Sequence, residues 1–198
     1  MSGNLAYQED RREELIDGTV VAMAPRPSFN HNQVSFNIAR IFADYLDGHK
    51  CTPIADGMDL YLDEENQFVP DFMVVCDPDK IKHDGIYGAP DLVVEVLSPS
   101  TMLSDKTHKK EVYARCGVRE YWLVDPISKV IEVYRKNGSD FTLHSIYAVH
   151  PDWELEKMSE KERAAVETHF KCSLFDDLDI SLEDVFTAHF IVDAVENK

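Results

Sequence analysis

Nowhere does this chain approach the roughly 18 uninterrupted apolar residues that a membrane span needs, although 44% of its residues are hydrophobic. Its opening stretch, MSGNLAYQEDRREELIDG, lacks the basic-then-apolar pattern of a secretory signal. The expected location is therefore the cytoplasm, with no membrane partner. Cysteine is scarce. Cys51, Cys76, Cys116 and Cys172 stand far apart without a Cys-x-x-Cys pair, which argues against structural zinc. Four reduced thiols acting as small hydrophobes are expected. Positive charge is also short: 20 Lys and Arg against 37 Asp and Glu give a net charge of -17. That balance argues against a broad phosphate-binding surface, so any contact with DNA should be weak. Residues 140–198 carry 14 acids and 5 bases, about half of the excess. The remainder leaves room for a carboxylate cluster that holds a cation. Internal repeats and low-complexity linkers are absent too. At 198 residues the chain suits one domain, 1–198, with residues 148–198 as its acidic C-terminal extension.

What is present alternates between strand and helix signals. Residues 12–24 read as a hairpin around Asp17-Gly18, a favoured two-residue turn. Pro25 and Pro27 mark a loop, and Asn30 is a candidate N-cap. Val34, Ile38, Ile41, Phe42 and Tyr45 then recur at helical spacing until Gly48, predicting a helix over 31–47. Strands are predicted at 58–62, 68–76 and 91–97, the second with Pro70 near its start. A helix follows over 104–116, with Ser104 as cap and Gly117 as stop. Strands at 120–125, 129–135 and 141–147 complete a meander. In the tail, residues 159–170 suggest a helix, and Ser181 with Asp184 resembles a capping box.

One residue in this pattern needs an explanation. Period-two geometry puts Asp91, Val93, Glu95 and Leu97 on one face of the strand 91–97 and Leu92, Val94 and Val96 on the other. Glu95 is then a mid-strand carboxylate among apolar residues, and an unpaired one would be costly. Asp71 opens the neighbouring strand. Two carboxylates facing one spot call for a positive third participant, either a divalent metal that prefers oxygen ligands or a lysine.

The run VPDFMVV, GAPDLVVEVLSPST and GVREYWLVDP resembles the Uma-two family of restriction-endonuclease-like proteins, placed within the PD-(D/E)XK nuclease superfamily. The likeness extends from EELIDGTVVAMAP through EYWLVDP and is weakest across 148–170. It implies an α/β fold: a restriction-endonuclease-like core with a mixed β-sheet flanked by helices and a β-hairpin N-terminal extension. It also implies a metal-dependent endonuclease acting on DNA, probed most naturally with Mg or Mn. Asp71 and Glu95 match the superfamily's two metal-binding acids, with the carbonyl of Val96 as a further ligand. The superfamily lysine, two residues past the second acid, is replaced by Leu97. The family resembled recruits its lysine from the following helix, where Lys109 matches. Asp105, Lys109 and Tyr113 share one face of that helix at i, i+4 and i+8. His31 and Gln33 match the polar group that the first helix often supplies.

Each residue also has a plainer reading. In it Asp71 starts a strand, Glu95 pairs with an arginine, Lys109 pairs with Asp105, His31 sits on the surface and Asp91 caps a turn. Lys106, Lys110 and Arg115 are the expected nucleic-acid contacts, or else a solvated helix face. Tyr121 and Trp122 are expected in the core or at a dimer contact. A two-fold homodimer is expected from family precedent. Two functions follow: an active DNA endonuclease, or a nuclease-fold protein without activity that serves as a binding or regulatory homodimer. Leu97 and the acidic balance favour the second; the retained acids and Lys109 favour the first.

Overall fold

The computed structural model describes residues 13–22 and 26–187. The outer ends of the expected hairpin (Arg12, Met23 and Ala24), the loop residue Pro25 and residues 188–198 of the extension lie outside them. The hairpin forms as β1 (Glu13–Ile16) and β2 (Thr19–Ala22). Its turn residues Asp17 and Gly18 have φ of 47° and 73°, the two positive values that a twist-matched two-residue turn requires. Helix α1 (Phe29–Leu46) follows. Then come β3 (Thr52–Ala55), β4 (Leu60–Tyr61), β5 (Gln67–Phe68), β6 (Phe72–Val75), β7 (Ile86–Tyr87) and β8 (Leu92–Val96).

The second long helical stretch is composite. A turn of α2 (Met102–Ser104) passes through a π-helical segment, Asp105–Lys109, into α3 (Lys110–Cys116). Gly117, with φ of 108°, ends it in the left-handed conformation that a Cβ would disfavour. The meander is β9 (Glu120–Asp125), β10 (Val130–Asn137) and β11 (Asp140–Ala148). The tail contributes α4 (Asp152–Leu155), α5 (Glu160–Ala164), β12 (His169–Lys171), β13 (Asp179–Ser181) and α6 (Leu182–Phe186).

The main sheet has six strands in the order β11-β10-β9-β8-β6-β3. Only β8 and β9 run parallel in it, joined by the crossover that contains α2 and α3; the other pairs are antiparallel. A smaller sheet, β2-β1-β5-β4-β7, includes the hairpin. The expected α/β class, a mixed sheet flanked by helices with an N-terminal hairpin, is what the chain forms. Side-chain alternation divides the core in two. Leu92, Val94 and Val96 join α1 and the tail, with Phe42 packed against Phe72 and Trp122 at ring distances of 5.1 and 5.8 Å. Val93 and Leu97 join Val112, Tyr113, Tyr121 and the smaller sheet's Leu60, Phe68 and Ile86.

Several sequence expectations are corrected. The α1 cap is Ser28, whose hydroxyl accepts the His31 N–H at 3.3 Å, and Asn30 is already helical. Ser104 lies inside the composite helix, with Thr101 at its start. The strand expected over 68–76 is two strands in different sheets. Pro70 has no N–H to give a ladder, and the chain changes sheet between Phe68 and Phe72. The strand expected at 58–62 is only two residues long and belongs to the smaller sheet. On the side of β6 away from β8 lies β3, which contains Pro53, at the edge of the main sheet where a proline is tolerated.

The expectation of four free thiols also fails. Thr52 faces Val75 across β3 and β6, so Cys51 and Cys76 are the next facing pair, and they form a disulfide. Cys116 and Cys172 are free. Among the described residues no helix is long and apolar enough to cross a membrane.

The tail closes one face of the sheet. Phe170, Cys172, Leu178, Ile180, Leu182 and Val185 are buried in the core beside α1. Buried Asn37 of α1 donates to the carbonyls of Val185 and Thr187 at 3.0 and 2.9 Å, and its Oδ1 accepts from Gln33. Glu120, wholly buried, accepts from Trp122 Nε1 and from the Ser173 backbone, with Arg135 3.4 Å away. Asn37→Ala is expected to cost about 1–3 kcal/mol in urea unfolding, because the buried Val185 carbonyl and the half-buried bond to Thr187 lose their donor. Cleavage C-terminal to β13 under limited proteolysis should quicken in the same variant; an unchanged cleavage rate would show that Asn37 does not hold the tail.

Candidate active site

The antiparallel register of β6 and β8 sets Phe72 opposite Val94 and Met73 opposite Val93. The residue before β6, Asp71, therefore meets the end of β8 where Glu95 and Val96 lie. The Val96 N–H donates to Asp71 Oδ2 at 2.7 Å. Glu95 points to the opposite face from Val94 and Val96, into the core beneath the composite helix, and is 3% exposed.

The composite helix supplies its partners. Lys109 Nζ lies 3.4 Å from Glu95 Oε1, and the Tyr113 hydroxyl donates to that same oxygen at 2.8 Å. Asp105 Oδ1 is also 3.4 Å from Lys109 Nζ. The π-helical segment contains both Asp105 and Lys109; such wide turns recur at functional sites. A third carboxylate comes from the hairpin: Glu14 Oε1 is 2.9 Å from Lys109 Nζ and also accepts the Val69 N–H at 3.1 Å. An ammonium has three donors, and here three carboxylates surround it, all of them buried.

His31, in the first turn of α1, reaches the cluster from the other side. Its Nε2 is 3.3 Å from Asp71 Oδ2, and the Ser35 hydroxyl donates to the Asp71 carbonyl at 3.3 Å. Burial lowers the proton affinity of His31, but the hydrogen bond and charge of Asp71, with a smaller contribution from the Val96 carbonyl, raise it overall.

The electrostatics follow from one ammonium among several acids. Burial pushes the Glu95 carboxyl well above its ordinary range; Lys109 opposes this, and Asp105, Asp71 and Glu14 add to it. Asp105 is raised in the same way, by burial first, against Lys109 and a hydrogen bond from Thr101. Burial disfavours the Lys109 charge, yet Glu95, Glu14 and Asp105 together raise its proton affinity, so it stays an ammonium.

Among the described residues no three His, Cys, Asp or Glu side chains form a ready-made metal cage. The donor set nevertheless fits a hard cation. Among the described residues, hydrogen bonds to the two acids fall on Glu95 Oε1 and Asp71 Oδ2, and none on Oε2 or Oδ1. Magnesium is commonly held by one or two carboxylates, with water and phosphate completing its shell. Three carboxylates around one lysine, with Asp71 beside Glu95, also leave a surplus of acidic groups for a cation to balance.

The other residues expected from the sequence separate from this centre. Gln33 donates to Asn37 at 3.0 Å, one turn along α1. Asp91 sits at the far end of β8, where Oδ2 accepts the Cys76 N–H at 2.8 Å and Oδ1 lies 3.3 Å from Arg119. Lys106 pairs with Glu132 at 2.6 Å, Arg115 pairs with Asp17, and Lys110 stands 4.5 Å over the Tyr134 ring. Leu97, at the superfamily's usual lysine position, is buried at 5% exposure. Tyr121 and Trp122 are wholly buried. Sequence reasoning missed Glu14. It shares the inward face of β1 with Ile16, and nothing in its immediate sequence marks it off from Glu13.

The chain is similar to known proteins. A family model described as "Uma2: Putative restriction endonuclease" matches residues 4–164. The uncharacterized protein slr1290 of Synechocystis is 36% identical over 158 residues, covering 78% of this chain and 83% of its own length. A second uncharacterized Synechocystis protein, sll1609, is 30% identical over 135 residues, or 66% of this chain and 76% of its own. A crystal structure of "a putative nuclease belonging to DUF820" from Anabaena variabilis superposes with a TM-score of 0.61 at 18% identity, covering 88% of this chain and 89% of that one. At that identity the likeness concerns the fold.

Lys109→Met tests the electrostatics directly. Without the ammonium, Glu95 and Asp105 bind protons still more tightly when folded. A carboxylate whose folded proton affinity is raised contributes its stability fully below the unfolded value, about 4, and loses it as pH rises through the folded value. Urea unfolding should therefore show a loss of about 3–5 kcal/mol at pH 8, the usual cost of breaking a buried ion pair. At pH 4 the loss should be much smaller. Equal losses at the two pH values would contradict the assignment of Lys109 as the counter-charge.

Proposed function

The chain belongs to the Uma2 family of restriction-endonuclease-like proteins, and from that membership we propose that it is a divalent-metal-dependent phosphodiesterase acting on DNA. The observation that carries the reading is the pairing of Asp71 and Glu95 at the meeting point of β6 and β8, with Lys109 on Glu95. Asp71, Glu95 and the Val96 carbonyl are the proposed ligands for Mg or Mn. The chemistry supplied by such an ion is acidification of a bound water and polarisation of a phosphoryl oxygen. Lys109, permanently charged, stabilises negative charge that develops beside Glu95. Tyr113 and Asp105 hold Glu95 and Lys109 in place, and His31 holds Asp71.

Contact with DNA is proposed to be weak and salt-sensitive. The net charge is -17, and Lys106 and Arg115, two of the three cations expected to bind it, are held in ion pairs. Those pairs favour the second reading, an inactive nuclease fold that binds as a homodimer. Self-association belongs to both readings; a lone 22.6 kDa species in sedimentation at micromolar concentration would remove it. A cytoplasmic location is also part of the proposal. The Cys51–Cys76 disulfide stands against it, since cytosolic thiols are normally kept reduced.

Thermal melting with and without manganese, combined with a plasmid-nicking assay, separates the readings. Wild type should gain about 2.7 kcal/mol of stability at a hundredfold excess of metal over its dissociation constant. The gain should be larger at pH 8 than at pH 5, because Glu95 must release its proton before it can ligate. Glu95→Gln should abolish the gain and keep the fold. Lys109→Met should retain the gain and lose nicking. No manganese-dependent shift in wild type would end the site reading. Metal binding without nicking would leave the site standing and favour the inactive homodimer.

A further inference from the structure

Glu14 is a buried acid to which the proposed chemistry gives no task. It lies on β1, outside the main sheet, with a side chain only 8% exposed. Its Oε1 is 2.9 Å from Lys109 Nζ, whereas Glu95 and Asp105 are both at 3.4 Å. The lysine therefore sits closer to the hairpin acid than to the strand acid while contacting both. The same Glu14 oxygen accepts the backbone N–H of Val69, two residues before Asp71. A single carboxylate oxygen thus ties the lysine-bearing helix to the turn that delivers Asp71.

We propose that Glu14 is a positioning residue: it shares the Lys109 ammonium with Glu95, keeping the Lys109–Glu95 contact the longer of the two, and anchors the Val69–Pro70–Asp71 turn, so that the two strand acids stay open to a divalent cation. The inference rests on the reading of Asp71 and Glu95 as a cation site. Its physical basis is competition. An ammonium in close contact with a carboxylate must be displaced before a metal can use that carboxylate. Lys109 sits on a flexible four-carbon stem, and with Glu14 neutral it would settle on Glu95 and Asp105 alone. The competition follows from the lysine's origin on a helix, because a long side chain arriving from another element needs an anchor of its own.

The test is isothermal titration of manganese into the full-length wild type, Glu14→Gln, Lys109→Met and the double variant, with hydrogen exchange at the Val69 and Val96 amides. Glu14→Gln should weaken manganese binding roughly tenfold and speed exchange at both amides. Adding Lys109→Met to Glu14→Gln should restore manganese affinity towards that of wild type, because the competing ammonium is gone. A merely structural Glu14 predicts a double variant no better than Glu14→Gln, and that result would overturn the proposal. Wild-type affinity in Glu14→Gln would overturn it as well. Should Glu14→Gln fail to fold, Glu14→Asp, which keeps the charge on a shorter stem, should show the same losses in milder form, and wild-type affinity there overturns it. Wild type that takes no manganese sinks the cation-site reading instead. The anchor is then judged by exchange alone, and unchanged rates at Val69 and Val96 overturn it.

Discussion

A single ammonium, Lys109 Nζ, sits among the carboxylates of Glu14, Glu95 and Asp105, all within 3.4 Å of it and all buried. Three acids cannot remain ionised in an apolar core without a counter-charge. The elements around the lysine serve this contact. The hairpin brings Glu14, β8 brings Glu95, and the π-helical turn brings both Asp105 and the lysine. Phe68 and Tyr113 pack edge to face beside it, and Lys109 lies 5.7 Å from the Phe68 ring. Excluding water strengthens each attraction and also raises the cost of any acid left unpaired. Hence Glu95 and Asp105 hold protons more tightly than ordinary carboxylates do. The fold and the candidate chemistry depend on the same charge balance.

The sheet allows this cluster to exist because its two faces are separated. Leu92, Val94 and Val96 are given to the α1 side, and the tail seals that side through Asn37, Glu120 and the apolar residues between Phe170 and Val185. The tail residues from Phe170 to Val185 pack on the face away from Glu95. His31 is an intermediate case. It starts α1 on the apolar side, yet it reaches around the end of β6 to Asp71.

Much of this could be read in the residues. Period-two alternation placed Glu95 opposite Val94 and Val96, and helical spacing put Asp105, Lys109 and Tyr113 on one face; both patterns are local, and both persist in the structure. Gly117 and Asp17-Gly18 were legible because their backbone demands are local as well. Long-range pairing was not legible. Residues 68–76 look like one apolar run, and only the topology shows that Pro70 marks a change of sheet. Thr52–Ala55 contains a proline and few strand formers, so it becomes a strand only through its partner β6. The Cys51–Cys76 bond depends on that same pairing. Glu14 was hidden because nothing local distinguishes it from its neighbour Glu13; the hairpin's docking selects which of the two is buried.

β6 shows how rigidly the acids are held. At its far end the disulfide links it to β3, and Asp91 Oδ2 accepts the Cys76 N–H. The Asp91 carbonyl accepts from Arg119 and Glu120, and the Asp91 N–H donates to Val74, so β6, β8 and β9 are joined at one level. At the near end Glu14 takes the Val69 N–H, while Asp71 takes that of Val96. A strand fixed at both ends leaves Asp71 little freedom to follow a bound group. Such preorganisation suits a site whose ligands must already be placed when a cation arrives. It also explains why Asp91, an acid on the same strand face as Glu95, takes no part in the centre: its hydrogen bonds are spent in holding the far end of the frame.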